Sequence, residues 1–233
     1  MSAGAAIEVR GLSKKYGAKT AVDGIDLTVE RGEIFALLGP NGAGKTTTVE
    51  ILEGYRKASS GDVRVLGFDP ATKGNAAQRW RNQIGIVLQS TSDAADLSVF
   101  ETISHYANYY ENPRNVEQVI DEVGLREKLN AKARELSGGQ RRRLDVALGI
   151  IGSPELLFLD EPTTGLHFQD IKLLMDVINK LVDRGNSVLV IEHNLDVIKM
   201  ADHVIDLGPE GGDGGGTILF EGTPEEMITI KNS

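Results

Sequence analysis

The chain has 233 residues and no cysteine, which excludes disulfides, cysteine-ligated zinc, iron–sulfur clusters and a thiol nucleophile. It is 40% hydrophobic and 25% charged, enough apolar material for one large domain or a domain with a subdomain. A net charge of −9 argues against general nucleic-acid binding, which rests on Lys and Arg at phosphates, and the four histidines lack metal-ligand spacing.

The opening "MSAGAAIEVR" has no basic segment before an apolar run, so no signal peptide is expected. Apolar runs such as "LLFL" are too short to span a bilayer. If the protein serves a membrane process, the membrane part is another chain.

Short β-rich runs alternate with helical patterns. Strands are expected at 7–12, 32–39, 62–67, 83–89, 155–161, 187–193, 203–208 and 217–222, several of them near-continuous apolar runs of the kind covered on both faces. Helices are expected at 45–54, 99–110, 116–124, 138–152, 170–185, 194–201 and 223–230. Within 170–185, Ile171, Leu174, Met175, Ile178, Leu181 and Val182 follow the helical period and predict one buried face. From about 90 to 151 no strand pattern occurs. This predicts a helical subdomain inserted into an α/β core made of 1–89 and 152–233. The aromatics of "SHYANYYENPRN" (104–115) read as helix core and surface rather than a base-stacking platform. "GPEGGDGGG" (208–216) reads as a turn between strands, and "GTPEEM" as a helix start with Thr223 as cap and Pro224 in the first turn.

"GPNGAGKT" (39–46) fits G-x-x-x-x-G-K-[ST] between an apolar strand and a helix, the context that makes the pattern a phosphate loop. Gly39, Asn41, Gly42 and Gly44 let the backbone wrap a phosphate and aim N–H groups at it. Lys45 reaches the β- and γ-phosphates, the Thr46 hydroxyl binds Mg²⁺, and Thr47 follows in the helix. "ELLFLDE" then delivers Asp160 to a strand tip, where it supports Mg²⁺. The next residue, Glu161, is placed to orient or deprotonate an attacking water.

"LSGGQRRRLDVA" (136–147) resembles the signature of the ATP-binding cassette (ABC) family, and with the phosphate loop and "LLFLDEP" makes a three-part likeness over nearly the whole chain. The resemblance implies a P-loop ABC ATPase fold, an α/β cassette with a mixed β core and the inserted helical subdomain, in a single nucleotide-binding domain over 1–233. It implies that Tyr16 stacks on adenine, that Gln89 contacts Mg²⁺ and the attacking water, and that His193 touches the γ-phosphate. It implies that Ser137, Gly138 and Gly139 face the γ-phosphate held by a second subunit, in an ATP-dependent head-to-tail homodimer. Arg141, Arg142 and Arg143 read as one solvated helix face, with partner binding as the alternative.

Residues 7–166 most resemble the ATPase subunits of bacterial drug exporters, which work with a separate transmembrane subunit from the cytoplasmic face of the membrane. That subfamily normally continues "GLD-P". Here "GLHFQDI", "VIEHNLDVIK" and "IDLGPEGG" resemble the C-terminal end of excinuclease A, a DNA-repair ABC ATPase. The change of likeness implies a chimera joined near 161–167, with His167 where exporters carry an aspartate that senses the partner subunit. Three functions follow: an exporter-type ATPase, a repair-type ATPase fragment, or a folded chimera that binds nucleotide with little turnover. DNA is the least expected partner, because the zinc-bearing DNA-binding parts of excinuclease A are missing.

Overall fold

Three largely apolar stretches decide the architecture, because their apolar side chains must be covered on both faces. They are the strands β3 (Ile34–Leu38), β6 (Leu156–Asp160) and β7 (Ser187–Ile191). The computed structural model describes residues 4–88, 96–208 and 216–229. In it these strands form the middle of a six-stranded sheet completed by β5 (Ile84–Val87), β8 (His203–Gly208) and β9 (Thr217–Gly222), in the order β5-β6-β7-β3-β8-β9. All neighbours are parallel except β9, which returns antiparallel to β8.

Alternation along the strands divides the core into two layers. Ala36, Leu157, Leu159, Val188 and Val190 face helices α3 (Val99–Ala107), α4 (Val116–Glu122), α5 (Gly138–Ile150) and α6 (Phe168–Val182). Phe35, Leu37, Phe158, Leu189 and Ile191 face α1 (Lys45–Leu52) and a second sheet. That sheet is antiparallel, in the order β2-β1-β4, with β1 at Ile7–Tyr16, β2 at Lys19–Val29 and β4 at Ser60–Val65.

Strand β2 and helix α2 (Asn75–Arg81) are absent from the sequence expectations. In β2 the alternation of Ile25, Leu27 and Val29 is interrupted upstream by Asp23 and Gly24, and the strand holds because β1 pairs along it with several register shifts. Helix α2 is short and buries only Ala77 and Trp80. Between Leu97 and Ile151 the described residues are helices and turns without a ladder strand, as expected. Helix α6 buries Ile171, Leu174, Met175, Ile178 and Leu181 of the predicted face, with Val177 added and Val182 half-buried. Tyr106 and Tyr110 pack against the core, which bears out the structural reading of that aromatic segment. Thr223 accepts the Glu226 N–H at the start of α8 (Pro224–Thr229), also as predicted. The turn at 208–216 lies outside the described residues for all but its two ends.

Helix α5 lies directly on β5 because glycines meet there. A Cβ at Gly85 would strike the Gly149 carbonyl oxygen and sit 2.8 Å from Leu157 Cδ1, and one at Gly149 would sit 2.6 Å from Val87 Cγ2. Gly85→Ala is therefore expected to cost about 1–3 kcal/mol through overpacking. Thermal denaturation checks this, and an unchanged midpoint would mean that helix and sheet have slack at this contact.

Candidate functional site

The phosphate loop turns from the end of β3 into α1. Gly39 (φ 135°) and Gly44 (φ 98°) have conformations that L side chains rarely adopt, and a Cβ on them would strike the carbonyl oxygens of Leu207 and Ala21. Gly44 is the N-cap of α1, with no side-chain cap and no acidic residue in the first turn. The first N–H groups of that helix are thus left for an anion. Lys45 is buried, and its ammonium donates to the Gly39 carbonyl at 2.6 Å and the Pro40 carbonyl at 3.0 Å. Burial lowers its pKa, while Glu161, Asp160 and Asp206 oppose that shift. Asp206, on β8, is a member of this charge cluster that the sequence reading missed.

Asp160 ends β6 and Glu161 follows it. Burial raises the Asp160 pKa, with Glu161 adding to the rise and Arg142 and Lys45 opposing it. Glu161 has φ 43°, a left-handed conformation costly for a residue with a Cβ. Its N–H donates to the Ile191 carbonyl at 3.0 Å, and Thr164 Oγ1 donates to Glu161 Oε2 at 3.2 Å. His193, just past β7, brings Nε2 within 4.0 Å of Glu161 Oε1. Glu192 beside it is 3% exposed and satisfied by donors: Thr163 N–H at 2.7 Å, Thr163 Oγ1, His193 N–H at 2.9 Å and Asn194 N–H at 3.0 Å. It fastens the turn after β6 to the end of β7, a role with no sequence signal beyond a charged residue after an apolar strand.

A cleft of about 250 Å³ is lined by Tyr16, Asn41, Gly42, Gly44, Lys45, Thr46, Thr47 and Glu161, among others. Tyr16 is partly exposed. Lys14 Nζ lies 5.1 Å and Arg56 Cζ 5.7 Å from its ring centroid, and Arg56 is held by Glu50. A larger groove of about 680 Å³ lies elsewhere, beside β1 and β2, and holds none of the phosphate-loop residues.

The oxygen donors suit Mg²⁺. Thr46 presents a hydroxyl, and the desolvated Asp160 carboxylate sits beside a second carboxylate, whose repulsion a divalent cation would relieve. Among the described residues no cluster of three or more His, Cys, Asp or Glu forms a metal site. Such an ion would complete its shell with phosphate oxygens and water.

One expected feature is not part of this cleft. Ser137 caps α5 in a capping box with Gln140 (3.0 and 3.3 Å), Gly138 is exposed and Gly139 packs against Asp170, all outside the cleft lining. Gln89 lies outside the described residues. The arginine run is a correction. Arg142 is 6% and Arg143 9% exposed, so the run is not a solvated face. Arg142 donates to the carbonyls of Pro162 (3.1 Å), Leu88 (2.5 Å) and Asp160 (2.6 Å), and Arg143 to Gly139 and Gly124 (3.4 and 3.2 Å). Arg141 is half-buried and donates to the Ala133 carbonyl. Backbone acceptors carry no side-chain signature, so the sequence does not reveal this role. His167 is exposed at the N-cap of α6 and makes no side-chain capping bond.

The family model for "ABC transporter" matches residues 22–164. The chain belongs to the ABC transporter family. It is an ATPase of the ABC type. The Nod factor export ATP-binding protein I of Ralstonia nicotianae is 36% identical over 231 residues, covering 96% of this chain and 68% of its own length. The daunorubicin/doxorubicin resistance ATP-binding protein DrrA of Streptomyces peucetius is 35% identical, covering 98% of this chain and 68% of its own length. The UvrABC system protein A of Halalkalibacterium halodurans is 46% identical over 149 residues, covering 62% of this chain and 16% of its own length. This cassette therefore spans only a small part of that protein. Among solved structures, cbiO1 from Clostridium perfringens superposes with TM-score 0.86 at 26% identity, covering 98% of this chain and 92% of its own. An ATP-binding cassette of an ABC transporter in its ADP conformation superposes at 0.81 and 26%, covering 96% and 93%.

Below the site, at the end of α1, burial first and then Asp160 and Glu50 push the Glu53 carboxyl up to about 7. In the unfolded cassette it titrates near its ordinary 4.5, so the native state holds its proton more tightly. The stability it contributes is complete below pH 4.5 and lost as pH rises through about 7. Glu53→Gln, which cannot ionise, is expected to match the parent near pH 4 and exceed it by roughly 2–3 kcal/mol at pH 8. Urea denaturation across that range checks this, and parallel stability curves for the two proteins would contradict it.

Proposed function

We propose that this cassette binds Mg²⁺-ATP between two head-to-tail copies and hydrolyses the β–γ bond to drive a separate transmembrane exporter subunit. The observation that carries the reading is the shared edge on which Lys45, Asp160, Glu161 and His193 converge, with Tyr16 lining the same cleft.

In this reading Tyr16 stacks on adenine. The backbone N–H groups of the loop from Gly39 through Asn41, Gly42 and Gly44 to Thr47 hold the phosphates, and Lys45 neutralises the β- and γ-phosphates. Thr46, Asp160 and Gln89 hold Mg²⁺, which when bound offsets charge on the phosphate oxygens. Glu161 orients the attacking water and takes its proton, while His193 hydrogen-bonds the γ-phosphate. Ser137, Gly138 and Gly139 close on the ATP of the partner copy, which explains why they stand away from the cleft of their own chain. Residues 1–89 and 152–233 act as the ATP-binding core and 90–151 as the signature subdomain. No helix of the described residues is long and apolar enough to cross a membrane. The cassette on this reading sits in the cytoplasm, at the inner face of the membrane when assembled with its transporter.

The likeness to UvrABC system protein A supports a second reading, a repair-type ATPase fragment. That likeness covers 149 residues, more than the segment from His167 to Ser233 holds, while the exporter likeness covers 96% of the chain. The two therefore overlap. A chimeric join at 161–167 remains part of the proposal only as a change of subfamily features within a shared cassette. The acidic charge and absence of cysteine favour the exporter reading. Salt-sensitive binding to duplex DNA with micromolar affinity would favour the repair reading instead.

Turnover per subunit is expected to rise with protein concentration, as a two-copy site requires. Glu161→Gln is expected to bind ATP with parental affinity and lose at least about 100-fold in kcat. Steady-state phosphate release with parallel ATP binding decides this, and parental turnover in the variant would remove Glu161 from the water-orienting role.

A further inference from the structure

Glu161 occupies a left-handed backbone conformation, and its neighbours hold it there. The peptide group between Asp160 and Glu161 is fixed at both ends: its N–H donates to the Ile191 carbonyl at 3.0 Å, and its carbonyl accepts from Arg142 Nη2 at 2.6 Å. On the other side of Glu161, the Pro162 carbonyl accepts from Arg142 Nε at 3.1 Å. The remaining nitrogen, Nη1, donates to the Leu88 carbonyl at 2.5 Å and lies 3.9 Å from Asp145 Oδ2. One buried guanidinium thus straddles the strained residue and uses its planar fork on three backbone acceptors from two strand ends. With the preceding peptide plane immobile, φ of Glu161 sets where its Cα–Cβ bond points, and so where the carboxylate sits relative to the phosphate loop.

We infer that Arg142 is a positioning residue for hydrolysis: it clamps the backbone on both sides of Glu161 and holds that carboxylate at the attacking water. Resting on the proposed role of Glu161, this assigns to the signature helix a second task. Its first turn carries Ser137–Gly139, and its second turn aims the hydrolytic carboxylate of the same chain. Lysine keeps the charge but reaches fewer of the three acceptors. Methionine keeps much of the volume and none of the bonds.

The test compares Arg142→Lys and Arg142→Met with the parent and with Glu161→Gln, in the full chain. It measures kcat and KM for ATP, affinity for the fluorescent analogue mant-ATP, and circular dichroism. The expected result is a kcat lower by about 10–100-fold in Arg142→Met and by a smaller factor in Arg142→Lys. KM and mant-ATP affinity should stay within about threefold of the parent in both. A folded variant with parental kcat overturns the inference, as does a loss of mant-ATP affinity in step with kcat, because positioning of Glu161 leaves binding intact. Failure of both variants to fold would make Arg142 structural and also overturn it. Parental turnover in Glu161→Gln would instead bring down the underlying reading of the site.

Discussion

Four parallel strands ending along one edge are the constraint on which the rest depends. In the sheet Leu37 pairs with Ile191, Leu38 with Asp206 and Asp160 with Ile191, so the ends of β3, β6, β7 and β8 fall level. The phosphate loop leaves β3, Asp160 and Glu161 leave β6, His193 leaves β7, and Asp206 lies near the end of β8. A shift of one strand by one residue would turn its apolar side chains to the wrong layer. The same packing that buries Phe35, Phe158 and Leu189 on one face, and Ala36, Leu157 and Val190 on the other, therefore also aligns the polar groups at the edge.

That edge concentrates charge where water is partly excluded. Lys45 stands among Asp160, Glu161 and Asp206, and burial pushes the lysine down and the two aspartates up. Two deeper groups, Arg142 and Glu192, are satisfied in a different way. The arginine spends its donors on carbonyls, and the glutamate takes backbone N–H groups and a hydroxyl. A buried charge met by several well-aimed dipoles costs far less than an unpaired one, and it fixes the backbone that supplies those dipoles. Glu192 ties the turn after β6 to β7, and Arg142 ties the same turn to the signature helix. Glu161 lies between these two fastenings.

The contact surfaces also bear on the two family likenesses. Asp170 of α6 packs against Gly139 of the signature, and Thr163, before Leu166, donates to Glu192 after it. Elements on both sides of Leu166 thus meet at Gly139 and Asp170 and through the Thr163–Glu192 hydrogen bonds.

Periodicity and short motifs alone determined the α/β alternation, the buried face of α6, the phosphate loop and the carboxylate-bearing strand tip, because these depend on local spacing and local backbone conformation. Tyr16 and His193 were singled out only through family resemblance. Strand β2 was not legible in the sequence, since Asp23 and Gly24 break its alternation and only pairing with β1 sustains it. Nor was the burial of Arg142 and Arg143, because three consecutive arginines on a helix look alike until the carbonyls of Leu88, Asp160 and Pro162 are brought to one of them. Tertiary structure decided which charged residues face water and which hold backbone, because a hydrogen bond to a main-chain carbonyl depends on where two distant segments meet and leaves no mark on the identity of the acceptor residue.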